Sequence, residues 1–407
     1  MSHSERRDPV SVPKRARDPR IDAFRGLALV MIFIDHVPGN PFEYLTIRNL
    51  GFSDAAESFF ILSGIAAGLA YSGRFLPEAR AKTGLWSAVQ PMWSRAWVLY
   101  LMQIFMTLWA IAIFSFGAQA FDLPQMLTII NLRQVFENTE QALLGIPLLT
   151  HQLGYVNILP AYSVLLFIGP ALILLGLRHP MLLVGLSAAV WLAAGIWRLN
   201  LPNFPNEGGW FFNPVAWQAV FVAGLLTGIY LRKGERFVPR NPYLFAAALG
   251  YLVLVVAWRY LPGLGEVLNH QMARLGALGV PFNVVSHDKT YLALPRFLHV
   301  LAMFYVLSCL PVVTRIAAHA LAAPLRLMGR QGLLVFVSGT LLALVFQVIM
   351  TNWEQAGWLA WVLPPLGVAG MIAIAWVAEW QKALRKPKGA PVVLPARRSA
   401  GEAMAAE

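Results

Sequence analysis

Five ionisable side chains, Arg25, Asp35, His36, Asp54 and Glu57, sit in two segments that are otherwise apolar enough to lie in a bilayer. Placing an ionisable group in hydrocarbon costs at least ~3 kcal/mol, so such residues usually mark function. His36 is the natural general base, because an imidazole titrates near neutrality. Asp54 and Glu57 are three residues apart and share one helix face. Either carboxylate is suited to hold the His36 ring in the tautomer that abstracts a proton. Asp35 adjoins His36 in sequence but points about 100° away around a helix, which makes it the weaker partner. Arg25 and His36 share a face and lie roughly 16 Å apart along a straight helix, so they can engage two ends of one elongated ligand but not each other. Two structural readings stand beside these. Asp54-x-x-Glu57 is also a helix capping box, and Arg25 can be a cation snorkelling to the interface.

These residues must be positioned by membrane spans. Of 407 residues, 58% are hydrophobic and 13% charged, where soluble domains carry about 25% charge. At about 20 residues per span, ten are predicted: 21–38, 52–73, 91–116, 155–177, 181–198, 213–231, 242–261, 291–313, 328–350 and 357–380. Segment 123–135 is too short and polar to span and reads as a surface helix or re-entrant piece. The expected fold is an all-α integral membrane bundle of about 10 transmembrane helices with both termini cytoplasmic. Residues 1–20 form a basic cytoplasmic tail, 21–380 the membrane domain, and 381–407 a basic, disordered cytoplasmic tail.

Charge placement supports that topology. With the N-terminus inside, only Arg48, Arg133, Arg198, Arg259, Arg274, Lys289 and Arg296 fall on the outer side, of 32 Lys and Arg in all. The net charge of +12 is therefore a topology signal and no sign of nucleic acid. A single cysteine, Cys309, excludes an intrachain disulfide. His151, His270, His287 and His299 lack metal-type spacing, and no metal is expected. Ser58 and Ser63 have no nucleophile elbow, while Ser63-Gly64-x-x-x-Gly68 reads as a close helix-packing face. Arg74, Arg80, Lys82 and Arg95 form a basic set on the inner side, suited to headgroups or to the phosphates of a cytoplasmic donor. Arg95 stands out because it lies inside the third predicted span.

Asp22-x-x-Arg25-Gly26 with His36 resembles the signature of the transmembrane acyltransferase-3 superfamily. Glu57-x-Phe59-Phe60-x-x-Ser63-Gly64 is similar to its acidic-x-Phe-Phe-x-x-Ser-Gly block, with Glu57 in place of the usual aspartate. The wording of residues 19–72 resembles the OpgC group most, whose members succinylate osmoregulated periplasmic glucans at the bacterial inner membrane. The resemblance implies an O-acyltransferase moving an acyl group, succinyl in that group, from cytoplasmic acyl-CoA to a glucan hydroxyl at the outer face. It implies His36 as base or transient acyl acceptor, with Arg25 the other matching position; the acidic richness beside His36, namely Asp35, Asp54 and Glu57, departs from the pattern, and Arg25, Arg95 and Arg74 are placed to bind the donor. The implied partners are the glycan acceptor, the lipid bilayer and glucan-synthesis proteins. A succinyl donor carries its own carboxylate and needs a cation; Arg48 and Arg296 are candidates by depth. Other readings are an acetyltransferase for another exported polysaccharide, a transporter or flippase of a polar solute, and a noncatalytic scaffold. Against transport stand the lack of an internal repeat and the clustering of charge on the first two spans.

Overall fold

The computed structural model describes residues 18–385. The expectations for the two basic tails fall mostly on residues 1–17 and 386–407, outside the described residues, and the last helix runs past 381 to Leu384. Ten helices of at least 16 residues follow one another: α1 (Pro19–Asp35), α2 (Ala55–Tyr71), α3 (Trp86–Ala120), α4 (Ile158–Arg178), α5 (Pro180–Ile196), α6 (Pro214–Lys233), α7 (Pro242–Tyr260), α8 (Leu294–Cys309), α9 (Gly332–Asn352) and α10 (Leu359–Leu384). Each predicted segment overlaps one of them.

Seven of these helices are long and apolar enough to cross a membrane. The count becomes eight if α8 is joined to Pro311–Ala318, which bends away from it by 81°. The chain is a multi-pass all-helical membrane protein, with fewer crossings secured by length and apolarity than the ten expected. α5 is apolar but only 17 residues long, and the 17-residue α1 carries Asp22 and Arg25. The predicted span 291–313 breaks at Pro311, whose ring disfavours helix at the preceding Leu310. The span predicted from 328 begins instead at Gly332, after a separate turn of helix, Ala323–Arg330.

Helix starts follow from local chemistry. Asp18-Pro19, Asn213-Pro214 and Asn241-Pro242 each place a side-chain acceptor at the N-cap and a proline at the first helical position. The acceptor takes a free backbone N–H, and the proline has none to leave unsatisfied.

The centre of the bundle is the α2–α6 pair, each with 72% of its apolar stretch buried inside the protein, against 11% for α7. The two helices run parallel, and their backbones meet through Gly64 and Gly68 of one and Gly224 and Gly228 of the other. A Cβ on Gly64 would lie 2.2 Å from the Phe221 carbonyl oxygen, and one on Gly224 would lie 2.1 Å from that of Ile61. Only glycine permits this approach, so the stripe read from the sequence is a packing face. Phe59 and Phe60 then splay apart: Phe60 packs on Trp217 of α6, and Phe59 on Phe336 of α9 and Tyr162 of α4. The resulting spine fixes the first turn of α2, where the charged residues lie.

Candidate functional site

α1 ends at Asp35, leaving His36 as its C-cap. Asn40 closes that end by donating to the carbonyls of Ile34 (2.9 Å) and Val37 (2.5 Å). Gln347 of α9 donates to the His36 carbonyl at 2.8 Å, so the backbone beneath the imidazole is fixed. The ring is held differently. It meets Tyr155 edge to face at 4.8 Å, and its Nδ1 is buried with no hydrogen-bond partner.

Tyr155 has φ 65°, and Ile130 and Asn131 beside it have φ 51° and 70°. These are left-handed conformations that non-glycine residues adopt at a cost of about 1–2 kcal/mol each. They persist because the two loops are tied together: Gly154 N–H donates to the Ile130 carbonyl at 2.9 Å, and Asn131 Nδ2 to the Gln152 carbonyl at 3.0 Å.

The facing wall is the first turn of α2. Asp54 is its N-cap and accepts from Ala56 N–H at 2.8 Å, while Glu57 Oε2 accepts from Asp54 N–H at 2.9 Å. Glu57 is fully buried, and Arg296 of α8 donates to its Oε1 at 2.7 Å. Arg296 also reaches Asp54 Oδ2 at 3.2 Å, and the Lys289 ammonium donates to the same oxygen. Two carboxylates and two cations thus balance each other, with backbone amides taking the remaining acceptor capacity. Behind this wall, Ser53 Oγ and His299 Nδ1 share a hydrogen bond at 2.6 Å, both residues buried. Gly51 lies flat against that imidazole, where a Cβ would come within 2.0 Å of Nε2.

Between the walls lies a cavity of about 750 Å³. Asp35, His36, Arg48, Asp54, Arg259, Lys289 and Arg296 contribute its ionisable lining, with Tyr155, Phe211 and Phe212 among the aromatic part. His287, also in the lining, meets Phe52 in a tilted contact at 4.4 Å; burial and the charge of Arg296 hold this imidazole below its ordinary pKa. The cavity sets the His36 imidazole against a polar, charge-bearing space with aromatic side chains along its edge.

Residues 17–383 match the family model described as OpgC protein. The chain belongs to the OpgC family. No curated protein matches it. The residue-level resemblance to OpgC rests on 19–72, whereas the match spans nearly every described residue, so the membership covers the lining contributed by Phe211 and Phe212 before α6, by α8 and by the 278–293 loop as well.

Within this OpgC chain, the predicted site residues divide into two groups. His36, Asp35 and Asp54 line one cavity, and Glu57 lies directly behind it. Neither Asp54 nor Glu57 bonds the His36 ring, although the sequence allowed either to orient it. Both Glu57 oxygens are committed to Asp54 N–H and Arg296, so the capping-box reading and an ion network describe these carboxylates. Asp35 instead accepts from Thr46 Oγ at 2.8 Å. Arg25, Arg74 and Arg95 do not line this cavity. Arg25 donates to the Gly329 carbonyl at 3.3 Å, where Asp22 and Gly329 bring α1 against Ala323–Arg330. Exposed Arg74 and half-buried Arg95 both come within electrostatic range of Tyr71, at the far end of α2.

Lys289, Tyr155 and Asn131 were missed as site residues. Lys289 was legible as an outer-loop charge, but nothing local links it to Asp54, 235 residues away. Segment 123–135 forms a 3-10 turn, Pro124–Leu127, and a short helix, Arg133–Glu137; the residues between them reach the cavity. Among the described residues, no group of three or more His, Cys, Asp or Glu side chains is arranged to hold a metal.

Proposed function

We propose that this OpgC-family chain is an inner-membrane O-acyltransferase that moves a succinyl group from cytoplasmic acyl-CoA to a hydroxyl of a periplasmic glucan. The observation that carries the reading is the His36 imidazole. It faces a charged cavity on a fixed backbone, and its Nδ1 carries no protein partner, so a ring nitrogen is available to take a proton.

In this mechanism the glucan hydroxyl enters the cavity and His36 takes its proton as the oxygen attacks the thioester carbonyl. The tetrahedral intermediate collapses with cleavage of the carbon–sulfur bond, and the imidazolium returns the proton to the departing thiolate. Glu57 and Asp54 act at one remove, by holding Arg296 and Lys289 in place as fixed positive charge near the developing oxyanion. Arg25 is the station for the donor arm at the other end of α1, and Arg95 and Arg74 are suited to the phosphates of CoA at the inner face. Ten crossings, with both termini cytoplasmic, put His36 at the outer end and the arginine set at the inner end, as this vectorial transfer requires.

The test is mass spectrometry of extracytoplasmic glucans from cells lacking the gene, cells with it restored, and cells with it restored as His36→Ala. The expected result is a succinyl ester that only the wild-type gene restores, with the variant reaching the membrane at normal levels. An acetyl ester in its place would reassign the donor, and unchanged glycans in the deletion strain would overturn the reading.

A further inference from the structure

A succinyl donor threaded acyl-first towards His36 sends its own free carboxylate ahead of the reacting carbonyl, into the cavity beyond. That carboxylate needs a cation there with no other commitment. Of the four cations around the cavity, Arg296 is held by Glu57 and Asp54, and Lys289 by Asp54 while it packs against the rings of Phe211 and Phe212. The Arg259 guanidinium donates to the carbonyls of Arg48 and Gly51. Arg48 alone has neither an ion-pair partner nor a side-chain hydrogen bond among the described residues, yet it lines the cavity.

The backbone that carries Arg48 is tightly fixed. It belongs to the short helix Ile47–Leu50, pinned at one end where Thr46 Oγ donates to Asp35. At the other end Arg259 caps the carbonyls of Arg48 and Gly51, and the Tyr260 hydroxyl donates to the Asn49 carbonyl. The guanidinium lies within electrostatic range of both the Asp35 carboxyl and the His36 ring. Arg48 is exposed and its side chain uncommitted, so from this pinned backbone its planar, five-donor guanidinium is free to turn onto a carboxylate entering the cavity near the base. We infer that Arg48 binds the distal carboxylate of the donor and so sets the preference for a dicarboxylic acyl group over an uncharged one.

This inference rests on the proposed acyl transfer, and the experiment separates the two. Membranes containing the full chain are given glucan with succinyl-CoA or with butyryl-CoA, which has the same four-carbon chain without the carboxylate, and the ratio of the two transfer rates is measured. The wild type is expected to favour succinyl. Arg48→Met should lower that ratio by about 10- to 100-fold, the range for losing a hydrogen bond to a charged group. Lys289→Met disturbs the Asp54 network instead and should slow both donors alike. Arg48→Gln, of similar polarity, serves as a second neutral variant should the methionine variant fail to reach the membrane. An unchanged ratio in the Arg48 variants, an equal loss with both donors, or a ratio that shifts in Lys289→Met but not in Arg48→Met would each overturn the assignment. Transfer of neither donor by the wild type would instead sink the acyltransferase reading itself.

Discussion

The two walls of the cavity are built on opposite principles. On the α2 wall every charge is matched: Glu57 and Asp54 take Arg296, Lys289 and two backbone amides, and the whole first turn of the helix is locked. On the α1 wall the His36 ring touches a strained Tyr155 and has a buried nitrogen with no partner. A buried polar atom without a bond costs about 1–3 kcal/mol, and each left-handed non-glycine residue adds about 1–2 kcal/mol. On the α2 wall the Ser58 hydroxyl is likewise unbonded, but no ionisable group there lacks a partner and no residue there is left-handed. On the proposed mechanism, the difference separates groups that hold the site together from the group left free to react, and it places the carboxylates among the former.

The most severe way to break the contrast is to unbalance the saturated wall. Arg296→Met leaves the fully buried Glu57 carboxylate without its cation, which should cost about 3–5 kcal/mol. The expected outcome is a large fall in thermal midpoint for detergent-solubilised protein. Adding Glu57→Met to the same chain should recover most of that loss, because a buried pair replaced by apolar side chains is often close to neutral. If Arg296→Met melts like the wild type, the α2 wall is not held by charge and the comparison fails.

A smaller effect comes from the spine beneath that wall. Gly224→Ala places a methyl 2.1 Å from the Ile61 carbonyl, forcing α2 and α6 apart at a cost of about 1–3 kcal/mol. Because α2 also carries Asp54 and Glu57, activity should fall together with stability. In His36→Ala, activity should be lost with the melting midpoint nearly unchanged. Measuring both quantities for both variants tests whether the two walls are coupled to separate properties.

How much of this was legible beforehand follows the range of the interactions. The positions of all ten helices, the glycine face at Gly64 and Gly68, and the capping box at Asp54 and Glu57 depend on residues within one helical turn or one span, and all were visible as patterns. The break at Pro311 was equally local but was hidden inside an apolar run. What could not be read were pairings across the chain. Arg296 meets Glu57 from 239 residues away, and no periodicity encodes that contact. A sequence-based search for a partner to His36 therefore chose the nearest carboxylates, when the fold had already committed them. The left-handed Tyr155 was also invisible, since nothing about a tyrosine signals positive φ and only the tie between two loops imposes it.

That tyrosine supplies the finest test of the contrast. Asn adopts left-handed conformations more readily than Tyr, so Tyr155→Asn should relieve strain of at most about 1 kcal/mol and leave the melting midpoint equal or slightly raised. The same change removes the ring that packs edge to face on His36. With Nδ1 unbonded, that contact is the main restraint on the imidazole's orientation, so the transfer rate should fall even as the protein holds or gains stability. Tyr155→Phe keeps the ring and the strain, and should behave like the wild type in both assays. Were Tyr155→Asn to lose stability and keep its activity, the strain on the α1 wall would serve the fold and not the base, and the two walls would differ in geometry alone.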